Sequence, residues 1–190
     1  VNLTSSDVYN TKEAWIIGFL TSFFLLSSII SHEVLHAFVS LNQGVKIKQI
    51  TFYFLGAILQ IDKYCQTALG NIKIAIVRPL LCFATAFILL LISTYSASQT
   101  FIFINVISRV GILNLFLGLL YLIPISSFDG GYLIKSIIWY FSGSKNKGRN
   151  FLNKVNFSLS FLVLIFGIVC LFRFNFYYGF ILSFLGLFGV

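Results

Sequence analysis

One five-residue motif, His32-Glu33-Val34-Leu35-His36, combines the residue types needed to bind a metal ion and to use it. It holds the only two histidines of the chain, and Glu33 is one of five acidic residues. On a helix, residues i and i+4 lie on one face, so both imidazoles can reach the same metal. Glu33 lies between them, where a carboxylate can take a proton from metal-activated water. The motif therefore predicts a hydrolytic metal site.

A catalytic zinc ion usually has a third protein ligand in addition to two histidines. Three of the remaining carboxylates lie in the polar N-terminal segment or at the end of a predicted hairpin: Asp7, Glu13 and Asp62. Asp129 follows a helix that Pro124 breaks, and it precedes two glycines that allow the backbone to bend. By elimination as well as by chemistry, we predict that His32, His36 and Asp129 bind the zinc.

The composition is that of a membrane protein. Hydrophobic residues make up 58% of the chain and charged residues 9%, against about 25% charged residues in a typical soluble domain. The net charge of +8 comes from 13 basic and 5 acidic residues. Because the basic residues lie mostly in short loops, we interpret them as a positive-inside topology signal, and we expect no nucleic-acid partner.

Apolar segments separated by polar stretches predict about five to six membrane helices. Five predicted spans cover residues 14 to about 41, 72 or 79 to 93, 101 to about 123, 155 to 172, and 176 to the C-terminus, and a further apolar stretch ends at 141. Between the first two spans, residues 45–62 alternate in polarity around a glycine turn, which is typical of a β-hairpin. The predicted fold is an all-α polytopic membrane protein with a small membrane-associated β-hairpin after the first helix.

The segments suggest four regions along the chain. We expect a polar N-terminal tail (1–13), a catalytic membrane core (14–141), a basic cytoplasmic loop (142–154) and a C-terminal pair of membrane helices (155–190). Basic residues after the first helix share a side with that loop. The positive-inside rule then predicts that the N-terminus lies outside and that the histidine motif lies near the cytoplasmic face. We expect a multi-pass protein of a bacterial cell membrane.

Two stretches resemble the signatures of the site-2 protease family. Residues 31–37, followed by 44–47, are similar to the first signature, and residues 114–131 are similar to the second. They occur in the order typical of the family, with a glycine-containing hairpin and a proline-led helix between them. The resemblance covers roughly residues 15 to 140.

The resemblance implies a role for each matching residue. His32, His36 and Asp129 would bind one Zn²⁺ per chain, and Glu33 would be the catalytic base. It also implies supporting roles for five residues of the hairpin and of the second signature: Gly56, Asn114, Tyr121, Pro124 and Gly130. The hairpin near Gly56 would hold the substrate as an added strand. We expect Asn114 to bridge helices beside the site.

The implied function is that of an intramembrane zinc endopeptidase acting in regulated intramembrane proteolysis. Its substrate would be a transmembrane protein or a signal-peptide remnant, cut within or near the membrane segment and close to the cytoplasmic face. Its other partners would be the lipid bilayer and a regulatory membrane subunit. We expect a minimal form of the family without PDZ or CBS domains.

Two departures from the family pattern leave an alternative open. Tyr121 stands where the family usually has Asn, although its phenol can donate a hydrogen bond. Arg78 stands where a glycine commonly precedes the proline of the middle helix. The alternative is a catalytically silent relative that binds or shields membrane partners. The intact ligand set argues against this alternative, because a silent protein would be free to lose Glu33.

Overall fold

The computed structural model describes residues 11–53, 56–63, 65–95, 101–126 and 128–173. These segments contain five helices and one pair of strands. In chain order the elements are α1 (Thr11–Asn42), β1 (Lys46–Tyr53), β2 (Gly56–Lys63), α2 (Ala68–Tyr95), α3 (Phe101–Tyr121), α4 (Asp129–Ser142) and α5 (Lys145–Arg173).

Four of the described helices are long and apolar enough to cross a membrane: α1, α2, α3 and α5 as far as Cys170. The 32 residues of α1 rise about 48 Å, more than the ~30 Å of a hydrocarbon core. The 14 residues of α4 rise only about 21 Å, too short to span. The last predicted span and residues 1–10 lie outside the described residues, so the count of five to six membrane helices stays a prediction.

The two strands follow α1 through a tight turn. Gly44 has a φ of +78°, which a side chain would disfavour, and the chain reverses there into β1. The strands are antiparallel, with Lys46 opposite Lys63 at one end and Tyr53 opposite Gly56 at the other. Both strands contact α1. The site residue expected in this segment, Gly56, is the first residue of β2.

The segment 142–154 differs from the expected loop, because α5 already begins at Lys145. A break of two residues separates it from α4, where Gly143 has a φ of +66° and ends the helix in the left-handed conformation. The Gly, Ser, Lys and Asn composition suggested a loop, but Gly148 packs directly on the backbone of α4 at Lys135. This close contact stabilises a helix that composition alone does not indicate.

Basic residues of α4 and α5 lie close together at this break. Burial, with the charges of Lys145 and Arg149, lowers the pKa of Lys135. The ammonium of Lys135 lies 4.6 Å from the centre of the Tyr132 ring, and that of Lys145 lies 5.4 Å from the Trp139 ring. These cation–π contacts partly offset the repulsion between the like charges.

The chain divides into two compact units. The first comprises Val1–Lys63 and Val77–Leu119, and the second comprises Tyr64–Ile76 and Leu120–Val190. A small core of Ile17, Val106 and Val110 joins α1 to α3 in the first unit. In the second unit, the Tyr132 hydroxyl donates a 2.6 Å hydrogen bond to the side-chain oxygen of buried Asn71.

We expect a methyl group at Gly148 to push α5 away from α4, because its Cβ would overlap the Lys135 carbonyl oxygen. Gly148→Ala should lower the free energy of unfolding by about 1–3 kcal/mol, measured by circular dichroism during denaturation in detergent. Gly18→Ala is the matched control, since nothing lies within 4 Å of a Cβ at that helical position. Equal stability of the two variants would contradict the close helix contact.

Candidate metal site

The motif lies on α1 with its polar residues turned inward. His32, Glu33 and His36 are buried, with exposed fractions of 5%, 3% and 6%. Val34 and Leu35 between them are exposed. A soluble helix would show the reverse pattern, whereas a membrane helix keeps its ionisable groups away from lipid. The first unit thus gathers the three residues that the motif predicts as two ligands and a base.

Three side chains surround the imidazole of His32. Its Nε2 atom lies 3.2 Å from the Thr85 hydroxyl and 3.5 Å from the Ser28 hydroxyl. Its Nδ1 atom lies 3.3 Å from the sulfur of Cys82, which is fully buried on α2. Polar groups next to a histidine fix the orientation of its ring, as they do around metal ligands in general.

His36 is suited to a metal ion for a different reason. Its Nδ1 atom is buried and has no hydrogen-bond partner among the described residues. A buried polar atom without a partner costs about 1–3 kcal/mol, so such atoms are rare and call for an explanation. A metal ion bound by the imidazole would remove this cost. The donor chemistry of α1 therefore fits a zinc ion.

Glu33 forms a buried ion pair with Arg78 of α2. A terminal nitrogen of the Arg78 guanidinium donates to the Glu33 carboxylate over 2.9 Å, and the two side chains are 15% and 3% exposed. Each charge alone would be costly inside a membrane helix, and pairing offsets this cost. From the sequence, Arg78 stood out only as a departure from the family pattern. The sequence signal that could have predicted this pair was the presence of a carboxylate and a guanidinium, each within an apolar segment.

Asn114 connects α3 to the site. It is fully buried, and its side-chain oxygen accepts a 2.8 Å hydrogen bond from the Ser28 hydroxyl. Its amide nitrogen donates to the Val110 carbonyl over 2.9 Å. Ser28 in turn lies next to His32. Asn114 therefore bridges two helices beside the histidine, while a role in catalysis stays a prediction.

The remaining site candidates belong to the second unit. Asp129 is the first residue of α4, and Tyr121 is the last residue of α3. Pro124 lies between these helices. A side chain at Gly130 would overlap the Leu122 carbonyl, so only glycine fits at this second residue of α4.

Within each unit, the described residues contain no group of three or more His, Cys, Asp and Glu side chains arranged to hold a metal. The first unit assembles two histidines and the glutamate, and the second unit carries Asp129. The three-ligand set of His32, His36 and Asp129 therefore stays a prediction.

The ion pair should show a characteristic pattern of stability. Removing one partner leaves the other charge buried, so Arg78→Met and Glu33→Met should each cost about 3–5 kcal/mol of unfolding free energy. The double variant should cost less than either single variant, because no unpaired charge remains.

Chemical denaturation in detergent would measure this cycle. Lys73→Met is the control, since Lys73 is an exposed cation on the same helix, and we expect a change within about 0.5 kcal/mol. Additive losses in the double variant would mean that Glu33 and Arg78 do not depend on each other.

The described residues thus place the His-Glu-His motif in a helix that is long and apolar enough to cross a membrane. No protein-family model matches the chain. It is 32% identical over 156 residues to a protein of Synechocystis sp. that carries the name of a zinc metalloprotease, a match covering 80% of this chain and 40% of that protein. It is 29% identical over 168 residues to the zinc metalloprotease MJ0392 of Methanocaldococcus jannaschii, covering 86% and 46% respectively.

Among solved structures, the chain is similar to the site-2 protease of Methanocaldococcus jannaschii. The TM-score is 0.60 at 26% identity, and the match covers 97% of this chain and 77% of that one. The chain belongs to the site-2 protease family, as the two sequence signatures predicted. It spans less than half the length of these two curated relatives.

Proposed function

We propose that the protein is a zinc-dependent intramembrane endopeptidase. The observation that carries this proposal is the buried His-Glu-His motif inside a membrane helix, with a His36 nitrogen that no described protein group satisfies. The names of its relatives support the same chemistry. Its substrate is a transmembrane protein or a signal-peptide remnant, cut within or near its membrane segment and close to the cytoplasmic face.

His32, His36 and Asp129 hold the single zinc ion in this proposal. A zinc ion held there would supply Lewis acidity, which would polarise the scissile carbonyl and allow water to lose a proton near neutral pH. Glu33 takes that proton and passes it to the leaving amine. Arg78 donates to the Glu33 carboxylate and so fixes its orientation on α1. Cys82 lies at one ring nitrogen of His32 and Thr85 at the other, so one of these contacts would give way to the metal while the other keeps the ring oriented.

Other parts of the proposal concern partners and placement. The hairpin near Gly56 adds the unwound substrate as a further strand. Tyr121, Pro124 and Gly130 shape the turn that carries Asp129. A regulatory membrane subunit restricts access, and the chain lies in a bacterial cell membrane with its N-terminus outside.

One observation favours the alternative of a catalytically silent membrane-binding protein. The ion pair with Arg78 gives Glu33 a structural role, so the presence of this glutamate is not by itself a sign of catalysis. In a silent protein the pair would join α1 to α2 and no peptide would be cut. The two functions differ in whether the purified chain hydrolyses a membrane peptide.

Zinc content tests the ligand set without a substrate. We expect about one zinc ion per chain in detergent-purified wild type, measured by atomic emission, because three protein ligands bind zinc tightly. His36→Ala and Asp129→Ala should each lose most of it. Glu13→Ala removes a carboxylate outside the ligand set and should keep the wild-type content. Folded wild type without zinc would contradict the metal site, and full zinc in Asp129→Ala would contradict the third ligand.

Hydrolysis tests the role of the base. In liposomes containing a labelled transmembrane peptide, Glu33→Gln should keep its zinc and lose about 10²–10⁴-fold in cleavage rate, because no carboxylate remains to move the proton. Gel analysis of the labelled fragments measures the rate. Wild type that holds zinc but leaves a panel of such peptides intact, as Glu33→Gln does, would favour the silent alternative.

A further inference from the structure

Cations of α4 and α5 converge at the short break between these helices, within the second unit. The Lys135 side chain lies against α5, since a Cβ at Gly148 would lie 3.3 Å from the Lys135 Cγ atom. Lys145 and Arg149 are four residues apart on α5, so they lie on one face of that helix. Burial, together with the charges of Lys145 and Arg149, lowers the pKa of Lys135. The contact between the two helices therefore holds three positive charges together, and we call these three residues the cation cluster.

The second unit offers the cation cluster little negative charge. Asp129 is the one acidic residue in the sequence of this unit. It is the first residue of α4, about 9 Å from Lys135 along the helix axis and about 20 Å from the end of the helix. The cation–π contacts with Tyr132 and Trp139 offset only part of the repulsion. The cluster therefore keeps an excess of positive charge.

The start of α5 adds to this unfavourable charge. The N-terminal end of a helix carries a partial positive charge, so acidic residues are favoured in its first turn and basic residues are not. α5 has no acidic residue in its first turn, and it has Lys145 and Lys147 there instead. An anion from outside the unit would offset the charge of the helix end and of the cation cluster at the same time.

The place of the cation cluster at one end of a membrane span indicates the source of that anion. The segment Lys145–Cys170 is long and apolar enough to cross a membrane, and its exposed side chains are mostly apolar from Phe157 onward. Beside the break, the rings of Tyr140 and Phe141 are 50% and 82% exposed. Exposed aromatic rings are typical of the level of the lipid headgroups. A lipid phosphate can therefore reach the cluster while its acyl chains cover apolar surface that a free phosphate would leave bare.

We propose that the cation cluster binds the headgroup phosphate of an anionic phospholipid such as phosphatidylglycerol. Lys145 and Arg149 are exposed and contact the phosphate oxygens, to which the guanidinium can donate two parallel hydrogen bonds. Lys135 is partly buried behind them and adds its charge. The bound lipid bridges α4 and α5 and stabilises their contact. Neither zinc nor peptide cleavage is needed for this lipid site.

Two short-chain lipids test the site on the full chain in a non-ionic detergent. Dihexanoyl-phosphatidylglycerol carries a net negative charge. Dihexanoyl-phosphatidylcholine has the same acyl chains and a phosphate, but no net charge. Isothermal titration calorimetry measures the affinity of each, and we expect the anionic lipid to bind wild type at least tenfold more tightly, because each basic residue near an anionic lipid adds to the attraction.

Variants of the cation cluster should weaken only the anionic lipid. Lys145→Gln and Arg149→Gln should each lower its affinity about fivefold, the loss expected when one cation next to an anionic lipid is removed. The affinity for dihexanoyl-phosphatidylcholine should not change. Lys147→Gln is the matched control, since it removes the same charge from the same exposed turn, about 160° around the helix from Lys145. This control should lose less than about twofold, because its cation faces away from the cluster.

Several results would overturn the lipid site. Equal affinities for the two lipids would mean that charge does not select the ligand, and equal losses in Lys147→Gln and Arg149→Gln would mean a diffuse basic surface. Inorganic phosphate and hexaglutamate are titrated in parallel. If either binds more tightly than dihexanoyl-phosphatidylglycerol, the ligand is a free phosphate or an acidic protein segment instead of a lipid.

Thermal unfolding without anionic lipid shows whether the variants fold. Arg149→Gln should unfold at a temperature at least as high as that of wild type, measured by circular dichroism, because it removes one of the repelling charges. Dihexanoyl-phosphatidylglycerol should then raise the unfolding temperature of wild type more than that of Arg149→Gln. A lower unfolding temperature of Arg149→Gln without lipid would mean that the chain itself already satisfies this cation, which would also overturn the site.

Discussion

The cost of placing ionisable groups among lipid-facing helices governs the arrangement of this protein. The motif places three such groups on α1, His32, Glu33 and His36, and all three are buried. Glu33 is stabilised by Arg78, and His32 is surrounded by polar side chains of α1 and α2. His36 keeps a buried nitrogen that no described residue satisfies. Glu33 and His32 therefore have neighbours within the first unit, and His36 keeps a nitrogen that is available to a ligand.

Close helix packing allows these contacts to form. A Cβ at Gly118 would lie 2.9 Å from the Phe83 ring, and one at Gly111 would lie 3.0 Å from the Leu90 side chain. Small residues at these positions let α3 approach α2 closely, as is common where helices associate in membranes. The same approach brings Asn114 within reach of Ser28. Packing and polar contacts thus depend on one another, since a larger residue at Gly118 would separate the helices that hold His32.

The sequence predicted most of the local structure, because that structure depends on neighbouring residues. The long apolar segments predicted the membrane helices. Residues 45–62, which alternate in polarity, contain most of the two strands that the structure describes. Prediction was weaker where composition and packing disagree. Residues from Lys145 onward looked like a loop, yet they form the first turns of α5, because Gly148 packs on the backbone of α4.

The sequence by itself determined the chemistry of the motif and the family. The i, i+4 spacing of His32 and His36 places them on one face of any helix, so no tertiary contact was needed to predict a shared ligand. Only the tertiary structure decided the partners of these residues. Arg78 lies 45 residues from Glu33 along the chain, and Cys82 and Thr85 lie just beyond it. Their meeting depends on how α1, α2 and α3 pack, and local spacing carries no information about contacts between helices that are distant in the sequence.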